Sequence, residues 1–152
     1  MKKCFLLCLL GLNLGACRKA APAPDGPAAA IFGQEFTLYP QQQAQAPATN
    51  APELTVTLTD LDFTYCPPNV NCLVGTSVAP KLSITDARGQ TQQLALPLAR
   101  PRTPNPAWID STTIRANGQR YLIYYHKWTI PTPPAGQSPQ KKDISVTLRI
   151  TK

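Results

Sequence analysis

The stretch Asp143 to Thr151 (DISVTLRIT) alternates apolar and polar side chains without a break: Ile144, Val146, Leu148 and Ile150 on one parity, Ser145, Thr147, Arg149 and Thr151 on the other. A period of two sends successive side chains to opposite faces, the pattern of a strand with one buried and one wet face. The same grammar recurs upstream. In residues 53–65 (ELTVTLTDLDFTY), Leu54, Val56 and Leu58 share a face, with Thr55 and Thr57 opposite. The phase then slips, because Leu61, Phe63 and Tyr65 carry the apolar set on odd numbers. A strand changes face only by inserting a residue, which predicts a bulge or bend near Thr59-Asp60. Val78, Leu82 and Ile84 keep to even numbers, Asp86-Ala87-Arg88-Gly89 reads as a turn, and Leu94, Leu96 and Leu98 resume the alternation. Trp108 to Ala116 reads as a strand. Asn117-Gly118 is the strongest hairpin signal in the chain, since both residues tolerate positive φ. Tyr121 to Ile130 (YLIYYHKWTI) is rich in β-branched and aromatic residues, and Glu35 to Tyr39 alternates weakly.

Between these runs lie a polar loop at Gln41 to Pro52, an irregular crossing at Arg100 to Pro106 and a proline-rich loop after Ile130. Seventeen prolines argue against any long helix, because each removes a backbone donor and fixes φ. The expectation is an all-β fold: an antiparallel β-sandwich of about seven or eight strands, with a small β-barrel as the alternative.

The N-terminal residues set the address. Met1-Lys2-Lys3 is a positive n-region, and Cys4 to Ala16 is a thirteen-residue apolar run. That is the length of a signal-peptide core and short of the roughly 20 residues a membrane-spanning helix needs. It ends in Leu14-Gly15-Ala16-Cys17, which resembles the bacterial lipobox: an aliphatic residue, two small residues, then a cysteine whose thiol takes the diacylglyceryl group. The resemblance implies a signal peptide at 1–16 that is cleaved, and a lipid anchor on Cys17. Residues 17–30, alanine- and proline-rich, then form a tether of up to roughly 40 Å, and 31–152 form the folded domain. The address is the bacterial cell envelope, with the membrane as partner through the lipid on Cys17. Arg18, where the inner-membrane retention signal has Asp, favours the outer membrane.

Loss of Lys2 and Lys3 with the signal lowers the formal charge of +7 by two. The remaining charge is scattered, with no basic stripe interleaved with aromatics, so an exported chain like this has no nucleic-acid partner. Attraction to lipid headgroups or acidic glycans is the most such charge supports. With Cys4 and Cys8 discarded and Cys17 lipidated, Cys66 and Cys72 remain, six residues apart in an oxidising compartment, and read as a disulfide. A metal site would need further ligands nearby, and the only histidine, His126, is more than fifty residues away. A redox role would want Cys-x-x-Cys beside positive charge. No metal and no cofactor is expected.

The segment Cys66-Pro67, four residues, Cys72, then Leu73-Val74-Gly75 is similar to a motif of small bacterial envelope lipoproteins, in which alternating strands flank the same cysteine loop. Phe36 and Leu38, and Tyr121 and Ile123 followed by Pro131, add to the likeness over most of 31–152. The chain departs from that form in having Phe63-Thr64-Tyr65 where the others carry Asp-Ser-Arg. That family has no assigned activity, so the resemblance implies a fold and an address, not a mechanism.

Chemistry-bearing residues are sparse. His126 is a lone histidine in a strand-like run, on the parity of Tyr124, Trp128 and Ile130. Asp60 and Asp62 come closest to a carboxylate pair. No Gly-x-Ser-x-Gly, His-Glu-x-x-His or phosphate-cradling loop is present, and no catalytic residue is assigned. The rings Trp108, Tyr121, Tyr124, Tyr125 and Trp128 are candidates for a binding surface: with Tyr121 and Tyr125 on one face of a strand and Tyr124 and Trp128 on the other, one set faces solvent if a single face is buried. Core and edge packing is the plainer reading of the same rings. The functional expectation is a non-enzymatic binding or structural module whose partner is an envelope protein or glycan. The alternatives are an envelope inhibitor of a hydrolase, presenting 66–72 or 131–142 as a rigid loop, or a hydrolase built around His126. The latter requires a carboxylate or other titratable group at that histidine.

Overall fold

The computed structural model describes residues 26–98, 105, 107–134 and 137–152. The expected signal peptide, Cys17, the first part of the expected tether and most of the crossing at 100–106 lie outside the described residues. The strands are β1 (Ala28–Ala29), β2 (Glu35–Leu38), β3 (Gln43–Ala46), β4 (Leu54–Thr64), β5 (Ser77–Asp86), β6 (Thr91–Ala95), β7 (Asp110–Ala116), β8 (Gln119–Thr129) and β9 (Ser145–Thr151), with one turn of 3₁₀-helix at Lys141–Asp143. They form a β-sandwich: one sheet in the order β1-β3-β4-β5-β6 and a second in the order β2-β9-β8-β7. All pairs are antiparallel except β1 with β3, which is parallel.

Alternation fills the space between the sheets. Leu54, Val56, Leu58, Val78, Leu82 and Ile84 of the first sheet meet Tyr121, Ile123, Tyr125, Val146, Leu148 and Ile150 of the second, all buried. Each fully buried aliphatic or aromatic side chain contributes about 1.5–3 kcal/mol relative to exposure. The phase slip in β4 is a bulge, with the register shifting between Leu58 and Asp60 opposite β5. This extra residue returns Leu61 to the core. Strand β9 is paired on both sides, by β2 and β8, and even its outer-face Ser145 and Thr147 are buried. Thr147 is satisfied there by a hydroxyl contact with Thr37 at 3.1 Å.

Three expectations need correction. The folded domain begins before residue 31: Ala28–Ala29, assigned to the tether, form β1 against β3, and Ala30 is buried in the core. The polar loop at 41–52 contains a strand, β3, whose inward residues Ala44 and Ala46 are fully buried against β4. Strand β8 also carries a second bulge, between Tyr125 and Lys127. His126 is the extra residue, so Trp128 does not share its face: it pairs with core residue Val146 and, like Ile130, packs against the core.

The two ends of the sandwich differ. At one end β4 and β5 run on into the cysteine loop. At the other, the turns at Asp86–Gly89 and Asn117-Gly118 meet: the Asn117 backbone N–H donates to Asp86 Oδ2 at 3.2 Å, and the Ala87 N–H donates to Asn117 Oδ1 at 3.1 Å. Asn117 has φ 51° and Gly118 φ 74°, the paired positive values that a two-residue hairpin turn requires.

Candidate functional site

The β4–β5 hairpin is closed at its neck by hydroxyls. Thr64 Oγ1 donates to the Gly75 carbonyl at 2.7 Å and lies 2.8 Å from Ser77 Oγ, while the Cys66 N–H donates to Thr76 Oγ1 at 3.0 Å. Above the neck, Cys66 and Cys72 are joined as a disulfide, with their Cα atoms 6.0 Å apart. Inside that ring the Val70 N–H donates to the Pro67 carbonyl at 3.3 Å and Asn69 has φ 68°. Proline at the second position and a positive φ at the third define a type II turn. The loop is thus braced three times: at the neck, by the disulfide and by the turn.

What it carries is apolar. Leu73 is fully exposed, Val74 is 65% exposed and Val70 is 54% exposed, and no residue from Tyr65 to Ser77 bears a charge. Single exposed aliphatic residues are ordinary on a protein surface. Three gathered on a braced projection form a patch that suits a contact.

The ring residues do not form one surface. Tyr121 and Tyr125 are fully buried: Tyr125 donates its hydroxyl across the sandwich to the Val78 carbonyl at 2.9 Å, and burial pushes its phenol far above the ordinary value. Neither can meet a ligand. Trp128 turns inward at the His126 bulge. The outer face of the four-stranded sheet keeps Trp108 and Tyr124, both half-buried, edge to face with centroids 5.0 Å apart. Arg149 lies over the Tyr124 ring at 4.5 Å, so the cross-strand row Ser111, Tyr124, Arg149 and Glu35 is spent largely on its own packing.

His126 lies on this same outer face. Its Nδ1 is 3.3 Å from Glu35 Oε1, a proximity sequence reasoning missed, because ninety residues separate the two and only the β2-β9-β8 order unites them. The imidazole is almost covered, with 9% of its side chain exposed. Its Nε2 is buried without a hydrogen-bond partner among the described residues. Asp60 and Asp62 do come together, but around cations: Lys81 Nζ is 2.9 Å from Asp62 and 3.5 Å from Asp60, and Lys141 Nζ is 2.7 Å from Asp60. The hydrogen bond from Lys141 holds the Asp60 carboxyl below its ordinary range, which keeps it ionised rather than ready to give a proton. Among the described residues no three His, Cys, Asp or Glu gather as metal ligands would.

The turn end is a polar clasp. Glu53 accepts from Lys152 Nζ at 2.7 Å and from the Tyr121 hydroxyl at 2.9 Å, and these two donors, Lys152 first, lower its pKa. Burial works to raise the pKa of Asp86, but the backbone N–H groups of Gln90, Asn117 and Arg88 outweigh it and the net direction is down. These carboxylates fasten one sheet to the other. A concavity of about 420 Å³ lies within the β8–β9 connection, lined by Pro131, Pro133, Pro134 and Pro139 with Gln137 and Asp143 among others. It brings together no acid–base pair.

No family model, no curated protein and no solved structure matches the chain.

Proposed function

We propose that this chain is a lipid-anchored lipoprotein of the bacterial envelope, more consistent with the outer than the inner membrane, whose β-sandwich is a non-enzymatic contact module. The observation that carries the reading is the Cys66–Cys72 hairpin: braced, uncharged, and tipped by exposed Val70, Leu73 and Val74. Rigid apolar projections lose little conformational freedom on meeting a partner, which is what makes a contact element effective. The signal sequence and lipobox support the envelope address, and the disulfide suits an oxidising compartment.

One contact favours a second reading. The Glu35 carboxylate beside His126 Nδ1 is the orienting half of an acid–base pair. The nitrogen that would work on a substrate, Nε2, is however the one that is buried, and the neighbouring side chains of that face are threonines already bonded to each other, a tyrosine and an arginine. A packing role for the pair follows more directly. The test is genetic. In the native host, His126→Gln should leave any envelope phenotype of the deletion strain fully complemented, while a Val70→Asp/Leu73→Asp variant of normal abundance should fail to complement. Loss of complementation by His126→Gln alone, with the protein folded and at wild-type level, would instead support the hydrolase.

A further inference from the structure

We propose that the hairpin tip contacts lipid: Val70, Leu73 and Val74 sit in the headgroup–acyl boundary of the same membrane that holds the anchor. The inference rests on the anchoring reading above and adds an occupant and an orientation to it.

Three observations converge on this occupant. The first is topology. Strand β1 is parallel to β3 and therefore antiparallel to β4, so following the chain backwards from Ala28 leads in the direction in which β4 runs toward the cysteine loop. The tether thus joins the sandwich from the hairpin's side and not from the turn end. The second is length. Gly26 lies beside Gln42, whose Nε2 donates to its carbonyl at 3.4 Å, and Gln42 pairs through its backbone with Leu58. Beyond Leu58, β4 continues to Thr64, about 17 Å at strand rise with one residue taken up by the bulge, and the loop projects further. The nine residue-to-residue steps from Cys17 to Gly26 reach about 28 Å when extended. The hairpin's overhang and the tether's reach are of one order, so a bilayer holding Cys17 is within reach of the hairpin.

The third is chemistry. A stable protein interface covers roughly 800 Å² on each partner and leans on Trp, Tyr and Arg anchors. Three small aliphatic side chains fall far short of that, and leucine and valine are under-represented among such anchors. A lipid surface asks less. The acyl anchor already holds the domain at high local concentration, so a few apolar side chains suffice to fix its pose. With no charge from Tyr65 to Ser77, nothing ionic is desolvated when the tip enters.

The experiment uses the full mature lipoprotein, made in a lipidating host and reconstituted into vesicles of phosphatidylethanolamine and phosphatidylglycerol with brominated acyl chains. Leu73→Trp places a reporter at the tip. Arg88→Trp places one in the exposed turn at the opposite end, and wild type supplies the Trp108 and Trp128 background. We expect bromolipid to quench the added emission of Leu73→Trp at least twofold more than that of Arg88→Trp. Equal quenching in vesicle-bound protein overturns the tip proposal while leaving the anchor intact. So does quenching of Arg88→Trp alone, or a Leu73→Trp emission that shifts only when envelope proteins are added. An N-terminal peptide without acyl mass on Cys17 overturns the anchoring reading, and the geometric case for the tip falls with it.

Discussion

Tyr125 does two jobs from one position: its ring fills the core of the four-stranded sheet and its hydroxyl reaches the Val78 carbonyl of the other sheet. Tyr125→Phe keeps the ring and strands the carbonyl. It should lower stability by about 1 kcal/mol, read as a lower urea midpoint with an unchanged slope; an unchanged midpoint would mean that the cross-sheet bond contributes nothing. The same burial gives a pH signature. The folded phenol holds its proton well past the ordinary value, so its stabilisation is complete below about pH 10 and is lost above it, where the unfolded chain ionises and the folded one does not. At the turn end the sign reverses. Glu53 and Asp86 have lowered pKa values, so their contribution is present above about pH 4 and disappears as pH falls through the folded-state values. Denaturation midpoints measured across the acid range should therefore fall for wild type and fall less steeply for Glu53→Gln and Asp86→Asn. Parallel acid limbs would remove the clasp from the sources of stability.

Elements were legible where the side chains themselves mark the phase. Ile144 to Ile150 reads as β9, the shift from even to odd apolar positions between Leu58 and Leu61 marks the β4 bulge, and Asn117-Gly118 reads as the β7–β8 turn. Strand β3 was hidden because its inward residues are alanines among glutamines, and alanine carries too little surface to stand out from a polar loop. The bulge at His126 was hidden for the opposite reason: from Tyr121 to Trp128 nearly every side chain is large, so no change of phase can be seen. The hairpin's cysteines were readable, but the exposure of Val70, Leu73 and Val74 was not, since an aliphatic residue beside a disulfide reads equally well as covered. Because the loop stands outside the core, its disulfide should brace it without being needed for the sandwich. Cys66→Ala/Cys72→Ala should cost about 2 kcal/mol by the closed-loop argument, with far-UV dichroism unchanged and amide protection lost only near residues 64–77. In wild type taken from an oxidising envelope, neither thiol should label without reduction. Global unfolding of the double variant would show that the loop holds the fold together.

At the scale of the molecule, the sandwich has one end fastened by charged and amide side chains and another that ends in an uncharged braced tip. That asymmetry suits a domain presented at an interface. On the proposed reading, acyl chains on Cys17 would supply the hold itself: at about 0.8 kcal/mol per buried CH₂, three chains exceed what stable anchoring requires, and the tip would have only to orient what they retain. The measurement that tests this most directly is the partition of wild type and Cys17→Ala between membrane and soluble fractions after a carbonate wash. Wild type should remain with the membrane, and Cys17→Ala should be released as a folded, disulfide-bonded domain. Recovery of folded Cys17→Ala in the washed membrane at the wild-type level would contradict the lipid-anchored reading.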